Sequence, residues 1–248
     1  MMEKTIQIFD NIETLSAGFA KRISEDISGT PDGQLYSIAL SGGATPRAVF
    51  KFIAENYRFK INWSKVLVFW GDERCVPPSS DESNYKMAND SMLEHIIIPD
   101  YNIYRIKGEN DPSAEAKRYA ELIDYLLPHK NNIPQFDLFM LGLGEDGHTA
   151  SIFPDQISLF DSDKLFEASQ HPVTKQNRIT ATGKLINNSR QVCFLVTGEG
   201  KAEKIAQIIE KKEGWELLPA SLIRPSKGEL MWMLDFPAGQ KLSNKRII

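Results

Sequence analysis

Cysteine is almost absent from this sequence of 248 residues, with only Cys75 and Cys193 present. The two lie far apart, form no metal or redox spacing, and fit a reducing compartment better than a disulfide scaffold. Long apolar runs are also missing. "VLVFW" and "FLV" are strand-length and fall far short of the roughly 20 residues that a membrane-crossing helix needs. The opening stretch, MMEKTIQIFDN, has no apolar signal core, so no secretory signal is expected and the chain is expected in the cytoplasm. Neither sign of charge prevails. The 29 Lys and Arg are interspersed with 33 Asp and Glu, net charge -4, which offers no face for a nucleic acid and excludes that class of partner. Repeats, low-complexity tracts and linkers are absent, so residues 1–248 read as one domain; the sequence does not set an oligomeric state, and monomer is the default. Several catalytic signatures are missing too. There is no G-x-S-x-G elbow and no Walker G-K-[ST], and His95, His129, His148 and His171 show no metal-ligand spacing, so no metal is expected.

What is present is an alternation of short β-rich runs and amphipathic stretches. "TIQIF" (Thr5 to Phe9) reads as a strand, and Leu15, Phe19, Ile23 and Ile27 then fall on one helical face. "LYSIAL" (Leu35 to Leu40) is the next strand. A helix follows it, with Thr45 expected as N-cap and Pro46 at the first helical position. "VLVFW" (Val66 to Trp70), "FDLFML", "VCFLVT" (Val192 to Thr197) and "LMWMLD" (Leu230 to Asp235) continue the series. Helical faces through Tyr119, Leu122, Ile123 and Leu126, and through Ala202, Ile205, Ile208 and Ile209, lie between them. The strands are continuously apolar rather than alternating, as in strands covered on both faces. The fold class is therefore α/β: a mostly parallel, Rossmann-like sheet with helices on both faces. Pro77 to Ser83 and Phe153 to Gln176 read as irregular.

In such sheets ligands bind beyond the carboxyl ends of the strands. After the fourth run stands "GLGEDGHTAS", with a literal G-x-G-x-x-G at Gly142, Gly144 and Gly147. A dinucleotide turn is disfavoured there. Glu145 and Asp146 would repel a pyrophosphate, and Pro154 would interrupt the required helix, although Glu167 loosely fills the acidic position of that fingerprint. Asp146 and His148 suggest instead an imidazole oriented by a carboxylate and suited to general-base work near neutral pH. A loop histidine without chemistry is the plain alternative.

The other strand ends carry matching signals. In "LSGGATP", Ser41, Gly42, Gly43 and Thr45 would offer hydroxyls and backbone N–H groups to an anion at a helix start, or simply make a tight connection. Lys201 in "TGEGKAEKI" opens a helix, where a cation opposes the dipole unless an anion accompanies it. Arg178 in "QNRIT" is a candidate for the same anion. "WGDERCVP" supplies Asp72, Glu73 and Arg74, either for acid/base work or charge stabilisation or as a solvated turn. A reactive Cys75 beside Arg74 is disfavoured, since no histidine lies near it in sequence.

Together the motifs "LSGGATPRAVF", "WGDERCVPPSSDESNYKMA", "FDLFMLGLGEDGHTASIFP", "NRITAT", "GEGKAEKI" and "LPASLI" resemble the 6-phosphogluconolactonase family in order and wording, over roughly Ser37 to Asp235. The resemblance implies a fold like that of glucosamine-6-phosphate deaminase and ribose-5-phosphate isomerase. It also implies hydrolysis of 6-phospho-D-glucono-1,5-lactone to 6-phosphogluconate, the second step of the oxidative pentose phosphate pathway, without a cofactor. By analogy His148 is the general base, Asp146 its orienting partner, and Arg74 a contact near the carbonyl. Ser41, Gly42, Gly43, Thr45, Arg178 and Lys201 match the positions that hold the sugar phosphate, and Asp72 and Gly144 belong to the rest of the substrate pocket.

Two rivals share this grip. The related deaminases have a loop reading roughly DGHIAFNEP, whose glutamate is Phe153 here, and a DEY that is DER here, which leaves that chemistry one acid/base group short. A non-catalytic sugar-phosphate sensor would usually carry a DNA-binding module. The segment before the second strand instead reads as a strand and helix of the domain itself.

Overall fold

The computed structural model describes residues 3–225 and 227–243, so the domain read over 1–248 extends past the described residues at both ends. In chain order the strands are β1 (Glu3–Phe9), β2 (Tyr36–Leu40), β3 (Val66–Trp70), β4 (Asp72–Arg74), β5 (His129–Lys130), β6 (Ile133–Pro134), β7 (Leu138–Leu141), β8 (Phe166–Gln170), β9 (Asn177–Ala181), β10 (Gln191–Val196) and β11 (Glu229–Asp235). The helices are α1 (Ile12–Ser28), α2 (Ala44–Asn56), α3 (Asn84–Ser91), α4 (Pro112–Leu126), α5 (Gly183–Ile186), α6 (Ala202–Ile209) and α7 (Phe236–Gly239).

The apolar runs of the sequence become the central sheet, in the order β1-β11-β10-β7-β2-β3. Every pairing within it is parallel. All residues of β2, β3 and β7 are buried, so layers of side chains cover both faces of these strands. Helix α1 lays Leu15, Phe19, Ile23 and Ile27 into this core. Asn11 and Thr14 close its start with a reciprocal capping box that the hydrophobic spacing alone does not reveal. Truncating the buried Phe19 to Ala would cost about 3–5 kcal/mol, because the packed surroundings relax only in part.

Strand order sets the place of the site. From β2 the chain moves to β3 on one side, whereas from β7 it moves to β10 on the other. The adjacent strands β2 and β7 therefore form a topological switch point, and their departing connections leave a crevice beyond the carboxyl ends. Into that crevice run Ser41–Thr45 after β2 and Gly142–His148 after β7.

Two local expectations differ from the structure. Phe153 to Gln176 is not irregular throughout: Pro154–Asp161 is a 3-10 helix, and Phe166–Gln170 is β8. Strands β4, β9 and β8 make a small antiparallel sheet, with Arg74 opposite Arg178 and Asp72 opposite Thr180. β4 is three residues long, polar, and bonds to β9 from far along the chain, so periodicity is blind to it, whereas β8 and β9 are consecutive strands. Thr45 is also not the N-cap of α2. Helical geometry begins at Ala44, Gly43 is the cap with φ 106°, and no side chain caps the turn. The Thr45 hydroxyl instead meets that of Thr197 at 2.6 Å, tying the β2 turn to the end of β10.

Candidate active site

A cleft of about 360 Å³ opens at the switch point. Its walls are the turn Ser41–Pro46, Asp72 and Arg74 of β4, Asn84 at the start of α3, the loop from Gly142 to Ala150, the end of β10, and Lys201. A larger groove of about 690 Å³ runs along the flank of α2 and α3, but it holds neither Asp146 nor His148.

The Gly142–His148 loop folds back so that Asp146 receives both the backbone N–H of His148, at 3.0 Å, and its ring Nδ1, at 2.6 Å. Although partial burial pushes the other way, the hydrogen bonds and charge of His148 hold the Asp146 carboxyl down to about 2. At neutral pH it is an acceptor only. Nδ1 therefore carries the proton, and Nε2 of the neutral ring keeps a lone pair. Gly144 permits this arrangement, since a Cβ there would collide with the His148 ring and the Asp146 carboxylate. Phe153, buried, lies against the other side of the imidazole with centroids 4.8 Å apart.

Across the cleft stands the first turn of α2, whose orphan backbone N–H groups no side chain caps. Such a helix end favours an anion. Gly42 lets the turn pass Asn84, whose amide occupies the space a Cβ would need. Asn84 is itself held from two sides. Its Nδ2 donates to the Asp72 carbonyl at 3.0 Å, and its backbone N–H donates to Glu73 at 2.7 Å.

Glu73 is neither solvated nor in the cleft lining. Its carboxylate is buried and accepts from the N–H groups of Arg74, Asn84 and Tyr85 and from the Ser83 hydroxyl. Burial pushes its pKa above the ordinary carboxylate value, against the pull of those four donors. Glu73 thus joins β4 to the start of α3 and fixes the two cleft residues Arg74 and Asn84. The Arg74 guanidinium reaches the cleft with Nη1 donating to the carbonyl of Glu82. Burial raises the Cys75 thiol to about 11, which makes it a poor nucleophile.

Of the residues singled out in the sequence, His148, Arg74, Asp72, Gly144, Ser41, Gly42, Gly43, Thr45 and Lys201 line this cleft, with Asp146 bonded to His148. Arg178 does not line it. It lies opposite Arg74 in the small sheet, 8 % exposed, with Nη1 sealed and without an acceptor among the described residues. Burial, and then the charge of Arg74, lower its pKa. Lys201 borders the cleft with Glu145 3.7 Å away as its ionic neighbour. Among the described residues no cluster of His, Cys, Asp or Glu could hold a metal ion, and no helix is long and apolar enough to cross a membrane.

Residues 10–232 match the family described as glucosamine-6-phosphate isomerases/6-phosphogluconolactonase. The chain belongs to this family. It is 43% identical over 199 residues to the 6-phosphogluconolactonase of Haemophilus influenzae, covering 80% of this chain and 84% of that one. The 6-phosphogluconolactonase of Synechocystis is 37% identical over 244 residues, covering 98% of this chain and 96% of the relative. Among solved structures, 6-phosphogluconolactonase from Trypanosoma brucei superposes with TM-score 0.85 at 30% identity, over 98% of this chain and all (100%) of that one. A monomeric glucosamine-6-phosphate deaminase superposes with TM-score 0.81 at 20% identity, over 97% of this chain and 100% of that one, a likeness of fold alone. Within this family the sequence reading passed over Asn84 and Thr197 as cleft residues. Ser83 ahead of α3 signals a helix cap that makes Asn84 the first helical residue, but no local pattern shows Thr197 meeting Thr45 across the sheet.

Proposed function

We propose that the chain hydrolyses 6-phospho-D-glucono-1,5-lactone to 6-phosphogluconate, as a single-domain, monomeric cytoplasmic enzyme of the oxidative pentose phosphate pathway. The observation that carries this reading is the Asp146–His148 pair, 2.6 Å apart, opening into the same cleft as the uncapped start of α2. The relatives named for this activity, matched over most of the chain, support it.

In this reading the 6-phosphate sits at the N–H groups of Gly43 to Thr45, with the Ser41 and Thr45 hydroxyls and Lys201 beside it. Nε2 of His148 takes a proton from water as the water oxygen bonds to C1. Asp146 holds the ring in the required tautomer and stabilises the imidazolium. The C1 carbonyl electrons move to its oxygen, where Arg74 offsets the charge. When the carbonyl reforms, the bond from C1 to the ring oxygen breaks and His148 returns the proton to that oxygen. The carboxylic acid product then ionises and releases a proton. No step calls on a metal or a cofactor.

Amino-sugar isomerisation lacks support in the site, because the side chain against His148 at the position of the deaminase glutamate is the phenyl of Phe153. The test is acid release from fresh 6-phosphogluconolactone, above the spontaneous rate, beside ammonia release from glucosamine 6-phosphate. The lactone alone should respond. Ammonia release without lactone hydrolysis would transfer the chain to the deaminases, and binding without either activity would mark a sensor.

A further inference from the structure

Phe153 touches two imidazoles. One is that of His148, with centroids 4.8 Å apart; the other is that of His171, at 5.2 Å and inclined by 65°, edge to face. Among the described residues the two imidazoles make no ring contact with each other, so Phe153 is the link between them. Phe153 is buried, and neither it nor His171 lines the cleft. His171 follows β8 and opens the turn into β9. Its Nδ1 accepts the backbone N–H groups of Val173 and Thr174, each at 3.2 Å, so the neutral ring carries its proton on Nε2. Its own N–H donates to the carbonyl of Gln176 at 2.9 Å, and its carbonyl accepts from Lys175 at 3.0 Å. The same two segments meet a second time. Gln156, in the 3-10 helix that follows Phe153, donates its side-chain amide to the carbonyl of Gln170 at 2.5 Å and accepts from the Gln170 N–H at 3.0 Å.

The outer torsion of a histidine side chain is broad, so the bond to Asp146 at one corner of the His148 ring does not by itself fix the plane of that ring. A packed neighbour does. Phe153 serves only while its own ring is held, since its outer torsion is equally broad. His171 supplies that hold from a turn whose hydrogen bonds fix it in place. We propose that His171 is a positioning residue for catalysis: it holds Phe153 against His148 and so keeps Nε2 aimed at the attacking water. It touches neither the substrate nor the reacting atoms. This rests on the lactonase reading and extends the support of the base beyond the cleft, to the β8–β9 hairpin. The simpler role, making the hairpin turn, gives the opposite prediction. Any side chain that accepts the two N–H groups would then replace the imidazole.

The experiment compares lactone turnover by the wild-type protein, H171A, H171F and H171N. Phenylalanine restores a ring beside Phe153 but no acceptor, whereas asparagine accepts from the N–H groups that follow it in a turn but brings no ring. H171A and H171N are expected to lose about tenfold in kcat, less than the roughly 10²-fold that a misplacement of about 1 Å costs. KM, and the Kd of 6-phosphogluconate, should stay within about twofold of wild type, because the cleft lining is untouched. H171F should recover kcat to within about threefold of wild type, since it restores the packed ring pair. In an F153A background H171N should cost less than about twofold more, because the ring through which His171 acts is gone. Recovery by H171N and not by H171F overturns the proposal and leaves a turn residue. Wild-type kcat in H171A overturns it too, as does an equal loss from H171N with and without the Phe153 ring. If F153A does not fold, the comparison of H171F with H171N decides. Wild-type hydrolysis of the lactone is scored first. Its absence removes the lactonase reading and this role with it, whereas an active wild-type protein whose kcat H171A leaves unchanged loses only the role of His171.

Discussion

The phenyl ring of Phe153 lies against the imidazole of His148, centroids 4.8 Å apart and planes inclined by 49°. An apolar wall there limits how the imidazole can turn, while Asp146 holds its other edge. F153A should lose about 3–5 kcal/mol of stability, the usual cost of truncating a buried Phe. At about 2–4 °C per kcal/mol for a chain of this size, thermal melting would show it plainly. Turnover should fall as well, and F153L, which refills most of the space, should recover most of both. Wild-type melting and turnover in F153A would mean that the wall does not constrain the ring.

The carboxyl of Asp146 titrates at about 2 because His148 faces it, against the effect of its own partial burial. Its folded pKa is depressed, so its contribution to stability is present above the unfolded value of about 3.9 and is lost as pH falls toward 2. The side chain is 43% exposed, so solvent screens that contribution and it stays small. The sharper check is carboxyl-carbon NMR. The Asp146 resonance should titrate near 2 in the wild-type protein and move toward about 3.9 in H148A. D146N should lower turnover by roughly 10²–10⁴, because an amide no longer enforces the base tautomer.

Among the described residues Lys201 has one ion-pair partner, Glu145 at 3.7 Å, and that side chain is largely exposed. K201A should weaken binding of 6-phosphogluconate by roughly tenfold to a hundredfold, the range of a charge-assisted contact, with kcat at saturation little changed. Calorimetry at two salt concentrations reads both the loss and its screening. An unaltered Kd would remove Lys201 from the phosphate. R178A is a different experiment, since Arg178 is buried opposite Arg74 in the small sheet and its removal also disturbs that sheet.

E73Q tests how the cleft is assembled. The amide replaces one acceptor oxygen with a donor that faces N–H or O–H groups, leaving buried donors unsatisfied at about 1–3 kcal/mol. Melting temperature should drop and KM should rise, because Arg74 and Asn84 lose their common anchor. Equal melting curves and equal KM would show that the anchor is dispensable.

The parallel sheet and the cleft at β2 and β7 were legible because continuous apolar runs and glycine turns after strands are local signals. The Asp146–His148 pair was legible for the same reason, its two members lying in one short loop. Glu73 was not, since its four donors come from Arg74 and from Ser83, Asn84 and Tyr85 after an intervening turn. Thr45 was misread as a cap because the residue type fits one, whereas its hydroxyl is taken by Thr197 from another strand. Arg178 was read as a candidate for the anion from its place in QNRIT and from the family motif, and the pairing of β4 with β9 sets it opposite Arg74 on the same face of the small sheet, buried and outside the cleft lining.

The most direct measurement is the turnover of H148A on 6-phosphogluconolactone, corrected for spontaneous hydrolysis, beside its affinity for 6-phosphogluconate. A general base predicts a fall of roughly 10²–10⁴ in kcat with affinity within a few-fold of wild type. Turnover within a few-fold of wild type would contradict the assignment of His148 as the base.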